Sequence, residues 1–197
     1  MRQDMSKISW NSLKKDNASR KVETLVPYLT NVQSVLDFGC GDLSMARALH
    51  KKFPRLKIAG IDVVDFGIRD KDISFRVYDG REIPFSSKSF DIVVAYHVFH
   101  HAPSPEYAFR ECVRVARHAV IFVEPVYRST FEIPGMIFMD WLFNVWKHEV
   151  IPMTYKFHSL LWWKNTIGKE KMKIGSIKDV ELLPAWSPTG TIIVVLR

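Results

Sequence analysis

Val35-Leu36-Asp37-Phe38-Gly39-Cys40-Gly41 decides how this chain folds. An apolar run closes on an acid, two glycines bracket one residue, and helix-forming sequence follows at Met45-Ala46-Arg47-Ala48-Leu49. That order reads as a strand, a turn that lets a ligand approach the backbone, and a helix start. Further along, Ile58-Ala59-Gly60-Ile61 ends in a second acid, Asp62. A carboxylate at the tip of a second strand is placed to accept hydrogen bonds from ribose hydroxyls. Together the two runs predict a nucleoside-bearing cofactor at the carboxyl ends of a parallel sheet.

Around this unit the pattern repeats. Strand-like runs are expected at 34–38, 57–62, 74–78, 90–95 and 119–123, and helices at roughly 19–29, at 44–52 and at 104–116. The β-branched run Phe90-Asp91-Ile92-Val93-Val94-Ala95 suits a strand buried on both faces. After Pro125 the character changes. Large rings recur at Phe131, Phe138, Trp141, Phe143, Trp146, Tyr155, Phe157, Trp162 and Trp163, interrupted by Asp140, Asn144 and Lys147. These polar residues disfavour a membrane-spanning helix; an amphipathic helix followed by a second helix capped by Ser159 is expected. Two closing runs, 179–183 and 191–196, predict a hairpin whose last strand is antiparallel to its neighbour.

Strands alternating with helices predict an α/β fold. It is a Rossmann-like, doubly wound, mostly parallel seven-stranded sheet with an antiparallel last strand and a helical lid insertion. At 197 residues and 47% hydrophobic content, one domain with a real core is expected. Residues 1–33 form an N-terminal leader and helix, 34–125 the cofactor-binding core, 126–170 the helical lid and 171–197 the C-terminal hairpin. The net charge of +7 is spread along the chain without a basic block, so nucleic acid is not indicated as a partner. An acidic substrate or an anionic bilayer surface is compatible with it. The start, Met1-Arg2-Gln3-Asp4-Met5-Ser6-Lys7, lacks the apolar stretch of a signal peptide, and a cytoplasmic location is expected. Cys40 and Cys112 have neither metal-site spacing nor the look of a disulfide framework.

Four motifs in order carry a resemblance. They are the opening glycine turn, Asp62, Tyr78-Asp79-Gly80-Arg81-Glu82-Ile83-Pro84-Phe85, and the run from Ser89 through Tyr96-His97-Val98-Phe99-His100-His101. Over about residues 34–125 the chain resembles the class I S-adenosylmethionine-dependent methyltransferases, in their small-molecule, type 11-like branch. The resemblance implies S-adenosyl-L-methionine as cofactor and a single methyltransferase domain. It sets Gly39 and Gly41 against the methionine and ribose, with Asp37 orienting their loop. Asp62 takes the ribose hydroxyls and Val63 packs on adenine. Asp79 and the Gly80 backbone meet the adenine edge, and Tyr96 and His97 lie near the transferred methyl. There are two departures. Leu43 stands where the family usually has another glycine, which bears on how closely backbone approaches the methionine end. Arg117-His118 replaces the usual Pro-Gly-Gly turn.

A nicotinamide-dinucleotide enzyme also uses glycines and a second-strand acid, but Ser44 stands where its pattern needs glycine or alanine. The other alternative is a degenerate member of the fold that acts as a binding scaffold. Nucleobase amine methylation is disfavoured, because Ala95-Tyr96-His97-Val98 occupies the place of an Asn/Asp-Pro-Pro-Tyr/Phe motif. His97, His100 and His101 are the catalytic candidates, one of them acting as general base; a structural role, or transfer by alignment alone, stands beside that reading. No metal site is expected, since no carboxylate or cysteine lies at helical ligand spacing from them. Glu124, Trp141 and Tyr155 are candidate substrate contacts, with capping for Glu124 and core packing for the rings as the plainer readings. Trp10 is a lid or packing residue. The expected acceptor is small and apolar or aromatic, with peripheral membrane contact as a variant. The oligomeric state is open.

Overall fold

Every residue from Phe90 to Tyr96 is buried, as a central strand covered on both faces requires. The computed structural model describes residues 10–145, 151–180 and 190–196. In chain order it runs α1 (Trp10–Leu25), β1 (Ser34–Phe38), α2 (Ser44–Lys52), β2 (Lys57–Asp62), β3 (Ile73–Val77), β4 (Phe90–Tyr96) and α3 (Pro105–Val115). It continues through β5 (Ala116–Tyr127), α4 (Ile133–Asn144), β6 (His158–Ser159), α5 (Leu160–Lys169), β7 (Lys173–Val180) and β8 (Gly190–Leu196).

The main sheet has the order β3-β2-β1-β4-β5-β8-β7, with the two-residue β6 beside β5. The first five strands are mutually parallel, and β8 runs antiparallel to both β5 and β7. The predicted mostly parallel sheet with an antiparallel last strand is therefore what forms. Alternation along the strands builds two cores. Val35, Ile92 and Val94 face α1 and α2 with Val22, Leu25, Met45 and Leu49. Leu36, Phe38, Val93 and Ala95 face α3 and α5 with Phe109, Cys112, Trp163 and Ile167. Strand order reverses between β1 and β4, and a crevice opens at their carboxyl ends, where ligands of doubly wound sheets bind.

β1, α2 and β2 lie where the sequence predicts them. Three other elements differ. The N-terminal helix starts at Trp10, because its first turns are polar and give no apolar period to read; the Trp10 side chain lies outside what is described. β5 extends to Tyr127 across Pro125. β4 ends opposite Val123, so no β4 neighbour demands an N–H from residue 125. The first strand of the terminal hairpin is Lys173–Val180, earlier than the expected 179–183. Gly175 hid it: the register shifts between Ile174 and Ser176, and a Cβ at 175 would stand 2.8 Å from Leu196 Cδ1. Residues 181–183 of the expected strand, and Trp146 of the aromatic run, lie outside the described residues.

Polar clasps fix the connections between these elements. Buried Asp91 accepts from the Gln33 and Ser34 N–H groups and pairs with Arg117. Arg114 pairs with Glu111 and donates to the carbonyls of Ile83 and Phe85. Ser104 caps α3 from outside Pro105, and Ser159 caps α5 as expected. Among the described residues no helix is long and apolar enough to cross a membrane.

Candidate active site

The glycine turn after β1 is held from β2. Gly39 and Cys40 both donate to the Ile61 carbonyl, at 2.8 and 3.0 Å. Gly39 sits at φ +71°, and a Cβ there would stand 2.4 Å from Val98 Cγ2, so only glycine fits. Gly41, at φ +53°, has nothing within 4 Å of a would-be Cβ: its backbone opens onto the crevice. Its N–H donates to Asp62 Oδ2 at 2.8 Å, and Val64 N–H donates to Asp62 Oδ1 at 3.1 Å. Asp62 thus shapes the turn and also lines the crevice.

Leu43 adopts the left-handed conformation its usual glycine would take, φ +59° and ψ +12°. Its side chain is fully buried and packs against Gly60, where an added Cβ would lie 2.9 Å from Leu43 Cδ2. The departure therefore preserves the backbone path. It costs about 1–2 kcal/mol of left-handed strain and gains a buried leucine in the α2 face of the core.

Asp37 lies beneath the turn, not on the crevice wall. Burial pushes its carboxyl up to about 7, against the opposing pull of Lys21. Its Oδ2 is buried with no hydrogen-bond partner in the protein.

A single cavity of about 510 Å³ runs from this turn to the lid. Of the cofactor candidates, Gly39, Gly41, Asp62, Val63, Asp79, Gly80 and Tyr96 line it together. Tyr78 joins them, and α1 covers this end through Asn17 and Lys21, which the sequence reading missed. The fastening is legible in the structure: Tyr96 Oη donates to the Lys21 carbonyl at 2.9 Å and meets the Thr24 hydroxyl, with Lys21 Nζ over its ring. These residues fit an adenosyl cofactor on structural grounds. The turn opens at Gly41, an acid stands at the second strand tip, and Asn17, on the cavity wall, has its Oδ1 left without a protein partner.

At the other end the three histidines separate in role. His97 lines the cavity at φ +54°, its N–H tied to the Val123 carbonyl and its Nε2 buried without a partner. Burial pulls its pKa down to about 4, so the ring is neutral at pH 7. His100 is buried behind it. Burial acts to lower its pKa, but Glu124 and Asp140 outweigh that and lift it to about 9. Glu124 Oε2 lies 2.6 Å from His100 Nδ1, while Oε1 accepts from the Val98 and Phe99 N–H groups at 2.7 and 2.8 Å. Despite its burial, Glu124 is held below the usual carboxylate range by His100. His101 lines the cavity, kept neutral by burial, with Nδ1 donating to the Pro152 carbonyl at 3.1 Å.

Of the expected substrate contacts, none stands on the cavity wall. Glu124 is 1% exposed and accepts from three protein donors, so it fastens the histidine turn from behind. Trp141 points outward beside Phe138, and Tyr155 is a positive-φ turn residue next to the wall. The lid instead contributes Met136, Asp140, Asn144, Ile151, Pro152 and Phe157. Helical spacing within α4 names the opposite face from Trp141, but nothing in the sequence says which face turns inward. The fold also brings Asp140 beside His100 and His101, a meeting that the search for ligand spacing along the chain did not find.

Comparison with known proteins agrees with this fold. The family described as "Methyltransferase domain" matches residues 36–123. The demethylmenaquinone methyltransferase of Thermotoga maritima is 30% identical over 119 residues, covering 57% of this chain and 52% of that protein. The chain thus matches about half the length of that relative. A solved geranyl diphosphate methyltransferase in complex with S-adenosylmethionine superposes with a TM-score of 0.70 at 16% identity, over 99% of this chain and 93% of that one. A S-adenosylmethionine-dependent methyltransferase from Aquifex aeolicus gives 0.63 at 15%, over 96% and 99%. At such identities the two structures speak for the fold alone.

Proposed function

Since this chain belongs to the class I S-adenosylmethionine-dependent methyltransferases through residues 36–123, we propose that it transfers a methyl group from S-adenosylmethionine to a small, apolar or aromatic acceptor. The observation that carries the reading is the continuity of the cavity. Its one end has the turn, acid and adenine-edge residues of a cofactor site. Its other end is walled by Met136, Ile151, Pro152 and Phe157. His97 stands on the wall between the two sets.

Bound S-adenosylmethionine supplies an electrophilic methyl on a sulfonium sulfur. The chain's part is positioning and exclusion of water. Gly39 and Gly41 offer backbone to the methionine end, Asp62 offers acceptors to the ribose, and Val63 with Tyr78 flanks the adenine, whose edge Asp79 and Gly80 meet. The lid's apolar side chains orient the acceptor, which is worth several kcal/mol when the reacting atoms are aligned. His97 lines the cavity with a neutral ring whose lowered pKa makes it a weak base, so transfer rests on alignment of the reacting atoms.

Demethylmenaquinone, named for the Thermotoga relative, and shorter quinol analogues are the first acceptors to test, with aliphatic amines as contrast. Labelled methyl should appear on the aromatic acceptors. Met136→Lys should abolish that turnover while leaving S-adenosylhomocysteine affinity within about threefold, roughly 0.7 kcal/mol. Transfer confined to amines would refute the acceptor class.

A specific observation favours peripheral membrane contact as a companion reading. Phe131, Phe138, Trp141 and Leu142 are all exposed around α4, on a chain of net charge +7. Co-sedimentation with anionic vesicles at low salt should occur and be lost in a Phe131→Ser/Phe138→Ser variant. Its absence in the unaltered protein would remove this reading.

A further inference from the structure

We propose that His100, His101 and Asp140 form a site for a divalent first-row transition-metal ion at the lid end of the cavity. His100 Nε2 and His101 Nε2 lie 3.4 and 3.7 Å from the same atom, Asp140 Oδ1. The three ligand atoms fall within 4.8 Å of one another. A tetrahedral ion with ligands at about 2.0–2.1 Å holds them about 3.3 Å apart. Two edges of the site are thus within a few tenths of an ångström of a coordination sphere.

The His100 contact with Asp140 is accounted for by their ion pair, but the His101 contact is not: its 3.7 Å separation exceeds the 2.7–3.2 Å of a well-made N–H···O contact. His101 Nδ1 faces a carbonyl oxygen, which only accepts, so the ring proton is assigned to Nδ1 and Nε2 carries a lone pair. That lone pair looks toward a carboxylate oxygen that also carries lone pairs. A cation between them makes the arrangement favourable. Independently, Asp140 Oδ2 is buried with no hydrogen-bond partner.

Each ligand is also fixed from outside. Glu124 holds His100 Nδ1, the Pro152 carbonyl holds His101 Nδ1, and Asn144 Nδ2 donates to Asp140 Oδ1 at 3.0 Å. Carboxylate and carbonyl partners on the far nitrogen of each imidazole are the outer contacts metal-binding histidines carry. Two imidazoles and one carboxylate select Zn²⁺, Fe²⁺, Co²⁺ or Mn²⁺ over Mg²⁺ and Ca²⁺, which take oxygen sets. His101, Asp140 and Asn144 line the cavity, so the remaining coordination positions face it. An acceptor oxygen would fill one of them; that clause rests on the methyl-transfer reading, whereas ion binding does not.

Chelator-stripped protein titrated with Co²⁺ should take up one ion per chain and show visible d–d absorption that Zn²⁺ abolishes by displacement. Asp140→Asn and His101→Gln should each weaken uptake at least as much as loss of an outer contact does, about 10–100-fold. His118→Gln, at an exposed histidine, should leave it unchanged. Thermal melting and S-adenosylhomocysteine titration of each variant report whether the cavity is intact. Stripped protein that takes up no Co²⁺, equal uptake by both ligand variants with folded cavities, or preference for Mg²⁺ overturns the site. Intact S-adenosylhomocysteine binding beside any of these results would leave the methyl-transfer reading standing.

Discussion

Replacing Asp37 with asparagine should stabilise the cofactor-free protein, by an amount that grows with pH. The carboxyl is 2% exposed, and burial lifts its pKa from an ordinary 3.8 to about 7 against the pull of Lys21. The sign follows from proton binding. Between these two values the unfolded chain has released the Asp37 proton while the folded chain keeps it, so stability falls as pH rises through the window. At about 1.4 kcal/mol per pH unit the penalty approaches roughly 4 kcal/mol above the folded-state value. More than half of it develops between about pH 5 and about pH 8. Asparagine carries no such penalty and nearly the same shape. Urea unfolding of both proteins across that range isolates the effect, because a fixed amide-for-carboxyl offset cancels from the slope of the difference. The variant's advantage should widen with pH. A difference that is flat, or narrows, would refute the claim that burial dominates at Asp37.

Three further outcomes follow from the site's geometry. Gly39→Ala drives a methyl into Val98 and should destabilise by more than about 2 kcal/mol, whereas Gly41→Ala meets no neighbour and should cost about 1 kcal/mol, read by denaturant unfolding. At Leu43 the usual ranking should invert. Leu43→Ala loses about 2–5 kcal/mol of core packing and keeps the left-handed strain, while Leu43→Gly sheds about 1 kcal/mol of that strain and should melt higher than the alanine variant. Glu124→Ala strands two backbone N–H groups and a buried charged histidine. It should cost about 3–5 kcal/mol, and calorimetry showing under about 1 kcal/mol would contradict the fastening role.

Most of the fold was legible because the parallel core writes itself in short buried runs. β1, α2 and β2 fall at their predicted bounds since each run is flanked by its own stop signal: Gly39 after one strand, Phe53-Pro54 after the helix. The polar first turns of α1 and the Gly175 bulge in β7 had no such signal. The cofactor end of the site was equally readable, because backbone geometry demands glycine at 39 and an acid at 62. The lid end was not. Trp141 and Met136 share one helix, and which faces inward depends on where α4 docks, not on its period. Asp140 meets His100 and His101 only through that docking. Glu124 looked like a ligand contact because it ends a strand at the crevice; its three protein donors came into view only with the turn that folds back over it.

The measurement that bears most directly on the cavity's assignment is isothermal titration of the cofactor-free protein with S-adenosylhomocysteine, run beside NAD. One S-adenosylhomocysteine per chain should bind, Asp62→Ala should abolish that heat, and NAD should give none. Heat with NAD alone, or with neither ligand, would contradict the account.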